Sequence, residues 1–282
     1  MLSHTFCHIQ TIGPRTEERL WRSGILTWDD LEAAEPRLLP PTARPLIANR
    51  VATARHHLRA GKAAYFADSL PAKQIWRIFP HFRAATAYLD IETTGLGDYR
   101  DHITTIALYD GSTIRHYVHG VNLDDFVAAL ENYTVLVTYN GKCFDIPFIE
   151  RSFGIRVPQA HIDLRYLLAG LGLKGGLKGC EKQLGLDRGD LEGVDGYFAV
   201  LLWHEYRATG NRRALETLLA YNIQDVVSLE ILMVEAYNRN LAATPFAASH
   251  RLPPPRPPAL PFAPDPALVR RLRQRLERAR GW

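Results

Sequence analysis

Asp90 and Glu92 close an apolar, β-leaning run, Ala87-Tyr88-Leu89-Asp90-Ile91-Glu92, that breaks at Thr93-Thr94-Gly95-Leu96. Side chains alternate faces along a strand, so the two carboxylates share one face and Ile91 takes the other. Like charges held side by side repel, and a divalent cation between them relieves the repulsion. Ligands that are all oxygen suit Mg²⁺ or Mn²⁺. The same residues would also serve a strand that ends at a solvated turn, so the other acids decide. Asp145 follows a run ending Val137-Thr138-Tyr139-Asn140-Gly141, where a helix is expected to begin. Asp225 stands four residues after Tyr221 in a long helical stretch, which puts both on one helix face. Its neighbours are apolar: Leu218, Leu219, Val226, Leu229 and Leu232. Three separate segments that each offer an acid beside apolar neighbours favour a shared metal site over four solvated carboxylates.

The elements that would position these acids follow from pattern and punctuation. Strands are expected near 85–91, 103–109 and 113–119, with Asp110-Gly111 as a hairpin turn between the last two. A helix near 123–131 leads to the strand 134–139, whose nearly continuous apolar run suits burial on both faces. A helix near 145–153, a strand at 160–163 and a helix from Leu164 follow. Further helices are expected at 177–184, 196–208 and 212–237, separated by Gly185, Gly193 and Gly210. Three antiparallel strands followed by β–α alternation imply an α/β domain with a mixed sheet flanked by helices.

Asp90-Ile91-Glu92, Asn140 with Phe144-Asp145, and Tyr221 with Asp225 resemble, in order and in the element each occupies, the three exonuclease motifs of the DEDD superfamily. These are 3′–5′ exonucleases with a ribonuclease-H-like fold. The resemblance covers roughly residues 84–235, and the wider layout is similar to bacterial predicted ribonuclease-H-like exonucleases. The histidine branch of the superfamily would need a His five residues before the last acid, where Ala220 stands; Tyr221 fits the tyrosine branch. His161 and His204 then read as structural or surface residues. The resemblance implies hydrolysis of phosphodiester bonds in DNA or RNA with two divalent cations, Mg²⁺ or Mn²⁺. Asp90 would bridge both ions, Glu92 and Asp225 would bind the one carrying the nucleophilic water, and Asp145 would support the other. Tyr221 would orient or deprotonate that water. Thr93, Thr94 and Leu96 would lie against the terminal nucleotide, while Asn140 and Phe144 would fix its sugar or the motif itself, Phe144 reading equally as a core residue. Asp163 reads either as an accessory acid or as a helix cap. The basic, glycine-rich stretch Lys174-Gly175-Gly176-Leu177-Lys178 reads as a flexible loop that could touch phosphate or simply be solvated. It lacks the Gly-Lys-Ser/Thr ending of a nucleotide-binding loop.

The rest of the 282-residue chain sets the context. With 46% hydrophobic and 23% charged residues it has the composition of a soluble globular protein, and its formal charge of +4 is compatible with a polyanionic partner. Cys7, Cys143 and Cys180 are scattered and odd in number, which argues against a disulfide framework or a structural zinc site and favours a reducing compartment. Without an apolar run of membrane-spanning length or a secretion signal, a cytoplasmic location with no membrane partner is expected.

Four regions are expected. Residues 1–60 form a helical module in which Gly13-Pro14, Gly24 and Thr27 punctuate two short helices. It partly resembles a helix-hairpin-helix element, although Thr11-Ile12-Gly13 supplies only the second glycine of that family's turn. Residues 61–83, with Pro71 and Pro80 among aromatics, read as an extended strap. Residues 84–240 form the nuclease-like domain. Residues 241–282 form a proline-rich linker followed by a short basic helix in which Val269, Leu272 and Leu276 lie on one side. Two other functions compete with exonucleolysis. An endonuclease on the same fold would cut circular substrates, and a non-catalytic nucleic-acid-binding protein would bind without cleaving in Mg²⁺ or Mn²⁺.

Overall fold

A computed structural model describes residues 1–34, 44–98, 100–186, 189 and 196–280. Gly193 lies outside these residues, as do the side chains of Leu276, Arg278 and Arg280. The strands are β1 (Thr86–Thr93), β2 (Ile103–Tyr109), β3 (Ile114–Val118), β4 (Val135–Thr138) and β5 (Ala160–Asp163), in the order β3-β2-β1-β4-β5. β1 pairs antiparallel with β2, and β2 with β3; β4 and β5 continue the sheet in parallel. This is the mixed α/β sheet of a ribonuclease-H-like fold, and the strand carrying Asp90 and Glu92 is its centre.

The helices are α1 (Pro14–Arg22), α2 (Trp28–Ala33), α3 (Arg44–Arg59), α4 (Ala63–Ser69), α5 (Phe79–Phe82), α6 (Phe126–Leu130), α7 (Asp145–Phe153), α8 (Leu164–Gly170), α9 (Gly176–Gln183), α10 (Gly196–Thr209), α11 (Arg212–Leu241) and α12 (Pro266–Arg280). Their ends carry recognisable signals. Pro14 opens α1 where its missing N–H costs nothing. Thr27 and Asp30 form a reciprocal capping box on α2. Gly154 ends α7 at φ +64°, a conformation that glycine adopts without steric cost.

The two faces of β1 bury against different partners. Ala87, Leu89 and Ile91 join Phe126 of α6 and Phe148 and Ile149 of α7. Tyr88, on the opposite face, joins Val137, Ile162 and the apolar side chains of α11. Asp90 and Glu92 follow Tyr88 at two-residue intervals and therefore meet α11. By length and composition α11 could cross a membrane, yet it is a core helix with most of its length buried in the protein. Burial nearly all round explains why its apolar residues form no single stripe.

The segment 61–83 is helical, not the extended strap expected from its prolines. α4 is followed by a 3₁₀ stretch, Ala72–Ile78, which runs into α5. Pro71 precedes the 3₁₀ stretch and Pro80 sits in the first turn of α5, positions where a fixed φ suits a helix start. The buried set Ile75, Ile78, Phe79 and Phe82 has the i, i+3, i+4, i+7 spacing of a helix face. One apolar cluster extends from Leu2 through these residues to α11 and on to Leu272 of α12.

A buried ion pair fastens the N-terminal helices to this segment. Arg77 Nη1 donates to Glu17 Oε2 at 2.7 Å, and the guanidinium lies 5.3 Å from the ring centres of both Trp21 and Trp76. Glu17 Oε1 also accepts from the N–H groups of Phe6 and Cys7. With both charged side chains almost fully buried, removing one charge leaves the other without compensation. Glu17→Gln is expected to lower stability by about 2–3 kcal/mol, measured as a shifted urea midpoint with unchanged m-value.

Candidate active site

The register of β1 brings its acids to the mouth of the sheet. Asp90 pairs with Ala107 and Glu92 with Thr105, and the ladder shifts register between Glu92 and Thr93. Across from them α11 presents Tyr221, Asn222 and Asp225. One carboxylate oxygen from each of Asp90, Glu92 and Asp225 lies within 4.8 Å of the others. Glu92 and Asp225 are buried and Asp90 is half-buried. Asp145, at the first turn of α7, stands outside this triad but lines the same cleft, and its Oδ1 accepts the Ile91 N–H at 3.3 Å.

Burial governs the electrostatics, and crowding adds to it. Burial pushes the Asp90 carboxyl well above the usual range, reinforced by Asp225, Glu92 and Asp145. Burial also pushes Asp145 up to about 7, with Asp163 and Asp225 adding to the shift and the Ile91 N–H opposing it. Three oxygen donors converging on one point, two of which raise the proton affinity of the third, Asp90, form the donor set expected for a hard divalent cation. The residues fit such an ion.

The cleft has a volume of about 850 Å³. Thr93, Thr94, Leu96, Asn140, Phe144 and Tyr221 line it together with the four acids. The Leu96 side chain is 95% exposed at the rim. Its loop is organised by Asp101, whose carboxylate accepts from the Gly97 and Asp98 N–H groups and from the Thr94 hydroxyl. The Gly97 N–H, ahead of the others, holds Asp101 below the ordinary carboxylate range. A Cβ on Gly95 would fall 2.4 Å from Asp101 Oδ1, so a side chain here would displace the carboxylate that organises the turn. Phe144 is half-buried, with its ring 5.7 Å from that of Phe148.

Lys178 and Lys174 are not among the lining residues. The stretch expected to be a flexible loop is helical from Gly176 onward. Its glycines permit close approach: a Cβ on Gly179 would lie 2.8 Å from the Lys174 carbonyl oxygen. Lys178 Nζ lies 4.8 Å from the centre of the Tyr221 ring, a cation–π contact at the back of the site, while Lys174 is exposed beyond the helix start. Asp163 takes the capping role. It accepts from the Arg165 N–H on α8 and from the N–H groups of Asn140 and Lys142. These bonds hold Asn140 at φ +67°. His161 bonds Thr138 Oγ1 at 2.8 Å, and His204 is exposed on α10.

Three residues of the site have no place in the sequence reading. Asn222 Nδ2 donates to Asp90 Oδ2 at 2.7 Å and to the Asp90 carbonyl at 3.2 Å, while its Oδ1 accepts from the Thr105 hydroxyl at 3.0 Å. This bridge fixes the Asp90 carboxylate against β2. A polar side chain three residues before Asp225 in a mostly apolar helix was the available signal. Arg165 lines the cleft and donates to Asn140 Oδ1, and Tyr197 of α10 forms part of its opposite wall. Tyr197 lies far in sequence from any acid of the site and nothing local marks it, whereas Arg165 follows Asp163 by two residues.

A family profile of the RNase_H superfamily, RNase_H_2, matches residues 87–237, more than half of the chain. No curated protein matches. Among solved structures, the family B DNA polymerase from the hyperthermophilic archaeon Pyrobaculum calidifontis superposes at a TM-score of 0.44 and 18% identity over 56% of this chain. The chain spans about a quarter of that polymerase, 24% of its length. Brucella melitensis NrnC superposes at 0.31 and 15% identity over 62% of this chain and 93% of its own. NrnC bound to pGG gives 0.30 and 16% over the same shares.

Proposed function

The chain belongs to the RNase_H superfamily, and on that premise we propose that it is a metal-dependent 3′–5′ exonuclease of the tyrosine branch, acting on DNA or RNA. The observation that carries this reading is the convergence of Asp90, Glu92 and Asp225 within 4.8 Å in a cleft that Tyr221 also lines. Asp90, Glu92 and Asp225, with Asp145 beside them, would hold two divalent cations, Mg²⁺ or Mn²⁺, which stabilise charge on the attacking and leaving oxygens of a phosphodiester. Asn222 holds the Asp90 carboxylate in place through Oδ2. Tyr221, one helical turn from Asp225, orients the attacking water by its hydroxyl; an unperturbed phenol titrates near 10 and is a weak base at neutral pH. The rim formed by Thr93, Thr94 and Leu96 and the wall formed by Asn140 and Phe144 seat the terminal nucleotide. Action from the 3′ end is supported by the resemblance of the three motifs to the DEDD exonucleases.

The test is incubation with 3′- and 5′-end-labelled DNA and RNA oligonucleotides and with a circular single strand, in Mg²⁺, in Mn²⁺ and in chelator. The expected result is stepwise shortening from the 3′ end that chelator stops, with the circle left intact. Cutting of the circle would replace this reading with an endonuclease, and intact substrates in both ions would replace it with a binding protein.

A further inference from the structure

The charge of this protein is unevenly placed. α12 carries Arg270, Arg271, Arg273, Arg275, Arg278 and Arg280 against Glu277, a formal +5. The rest of the chain holds 28 basic and 29 acidic residues, a formal −1. This helix is thus a concentrated source of positive charge that would attract a polyanion.

The path of the chain brings that helix back to a groove adjoining the cleft. After α11 the tail turns and runs back along it: Leu252 exchanges two hydrogen bonds with Asn238, and Phe262 packs on His116 of β3. The Asp265 N–H then donates to Thr217 Oγ1, and Asp265 pairs with Arg213. From Asn238 back to Thr217 is roughly 30 Å along the helix axis. The prolines between keep this return extended and stiff. Leu268, Val269 and Leu272 bury the apolar side of α12. Glu205 of α10 pairs with Arg271 at 2.5 Å and with Arg275 at 3.4 Å, which fixes the rotation of the helix. Arg270 and Arg273 are exposed.

Tyr197 joins the two regions. Its ring, 54% exposed, lines the active-site cleft on one side. On the other it lines a groove of about 420 Å³ shared with His204, Glu205, Leu272 and Arg275. An exposed aromatic between a catalytic cleft and a row of arginines is the arrangement by which proteins hold single strands: bases stack on the ring and phosphates follow the charge.

We propose that α12 is a strand-binding arm: the single-stranded nucleic acid behind the scissile bond leaves the cleft over Tyr197 and runs along the arginine-rich helix. This assignment rests on the nuclease reading for the direction in which the strand enters, and its test is independent of cleavage. Binding of labelled oligothymidylates and oligouridylates, 2 and 20 nucleotides long, is measured by fluorescence anisotropy on the full chain in EDTA between 50 and 200 mM salt. Arg270→Gln with Arg273→Gln is expected to weaken 20-mer binding about tenfold and leave dinucleotide affinity within about twofold. The slope of log K against log salt should fall by about 1.4, since each lost single-strand phosphate contact accounts for about 0.7. Tyr197→Ala should weaken the 20-mer about tenfold with the slope unchanged, because stacking releases no counterions. Equal 20-mer affinities and salt slopes for wild type and the double variant overturn the arm. If that happens while oligonucleotides are cleaved in Mn²⁺, the nuclease reading stands without the arm. If no oligonucleotide is cleaved but the double variant loses length-dependent binding, the arm stands and the nuclease reading falls.

Discussion

Asp90→Ala is expected to reduce metal-dependent hydrolysis by about 10³-fold or more while the protein stays folded. Among the acids Asp90 is the one on which the others converge: it lies in the triad with Glu92 and Asp225, and its carboxyl is raised by both of them and by Asp145. An ion held there supplies several kcal/mol of charge stabilisation, and about 4 kcal/mol corresponds to 10³-fold in rate. The same substitution removes one of the like charges that crowd the metal-free site. In chelator the variant should therefore melt at the same temperature as wild type or higher, although Asn222 loses an acceptor. Initial rates in Mn²⁺ together with thermal melts in EDTA check both halves. A variant that keeps wild-type turnover would show that the triad is not the catalytic centre. One that unfolds would show that Asp90 serves the fold.

Metal-free protein is also expected to lose stability as pH rises through 7 because of Asp145. Its folded-state pKa, about 7, lies above the ordinary carboxylate value of 3.8. Between these values the folded state binds more protons than the unfolded chain, so the contribution of Asp145 falls as pH rises. A shift of this size is on the order of 4 kcal/mol for Asp145 alone. Buried histidines act in the opposite sense. His8 and His161 are pushed down to about 4, first by desolvation, so they oppose folding as pH falls below 6.5. The measurement is therefore a difference: urea midpoints in EDTA at pH 5, 6, 7 and 8 for wild type and Asp145→Asn. The wild type should lose stability relative to the variant across this range. Parallel profiles would mean that Asp145 titrates normally in the fold. Saturating Mn²⁺ should raise the wild-type midpoint most at pH 8, where the ligands give up the fewest protons on binding.

The two substitutions read the site from opposite sides. Asp90 sits where the proposed function needs charge that the fold alone does not favour, and Asp145 shows how large that conflict is. A buried cluster of like charges is a poor contributor to stability, and its presence at the C-terminal end of a central strand marks a place where the chain is arranged for a ligand.

Much of this protein was legible from local pattern. Alternation along Tyr88–Glu92 places Asp90 and Glu92 on one face of a strand, because successive side chains in extended backbone point in opposite directions. The four-residue spacing of Tyr221 and Asp225 puts them on one face of a helix, because a turn takes 3.6 residues. Both relations are properties of the nearest few bonds. The helical nature of residues 61–83 was present in the spacing of Ile75, Ile78, Phe79 and Phe82, but Pro71 and Pro80 resemble breakers unless one knows that they sit at helix starts. The glycines at 175, 176 and 179 resemble a flexible loop unless one knows that the Lys174 carbonyl approaches Gly179 closely.

What no local pattern contains is which faces meet. Asn222 finds Asp90 across 132 residues of sequence, and Tyr197 reaches the cleft wall because α10 packs beside α11 and β1. Such pairings are decided when apolar faces are buried together, a choice made over the whole chain at once. The sequence by itself determined the strand, the helix and the residue types that each would offer. Only the tertiary structure decided that the face of β1 bearing Asp90 and Glu92 lies against the face of α11 bearing Asp225. It alone also returned the arginine-rich helix to a groove that shares Tyr197 with that cleft, because long-range contact geometry depends on the packing of every layer between.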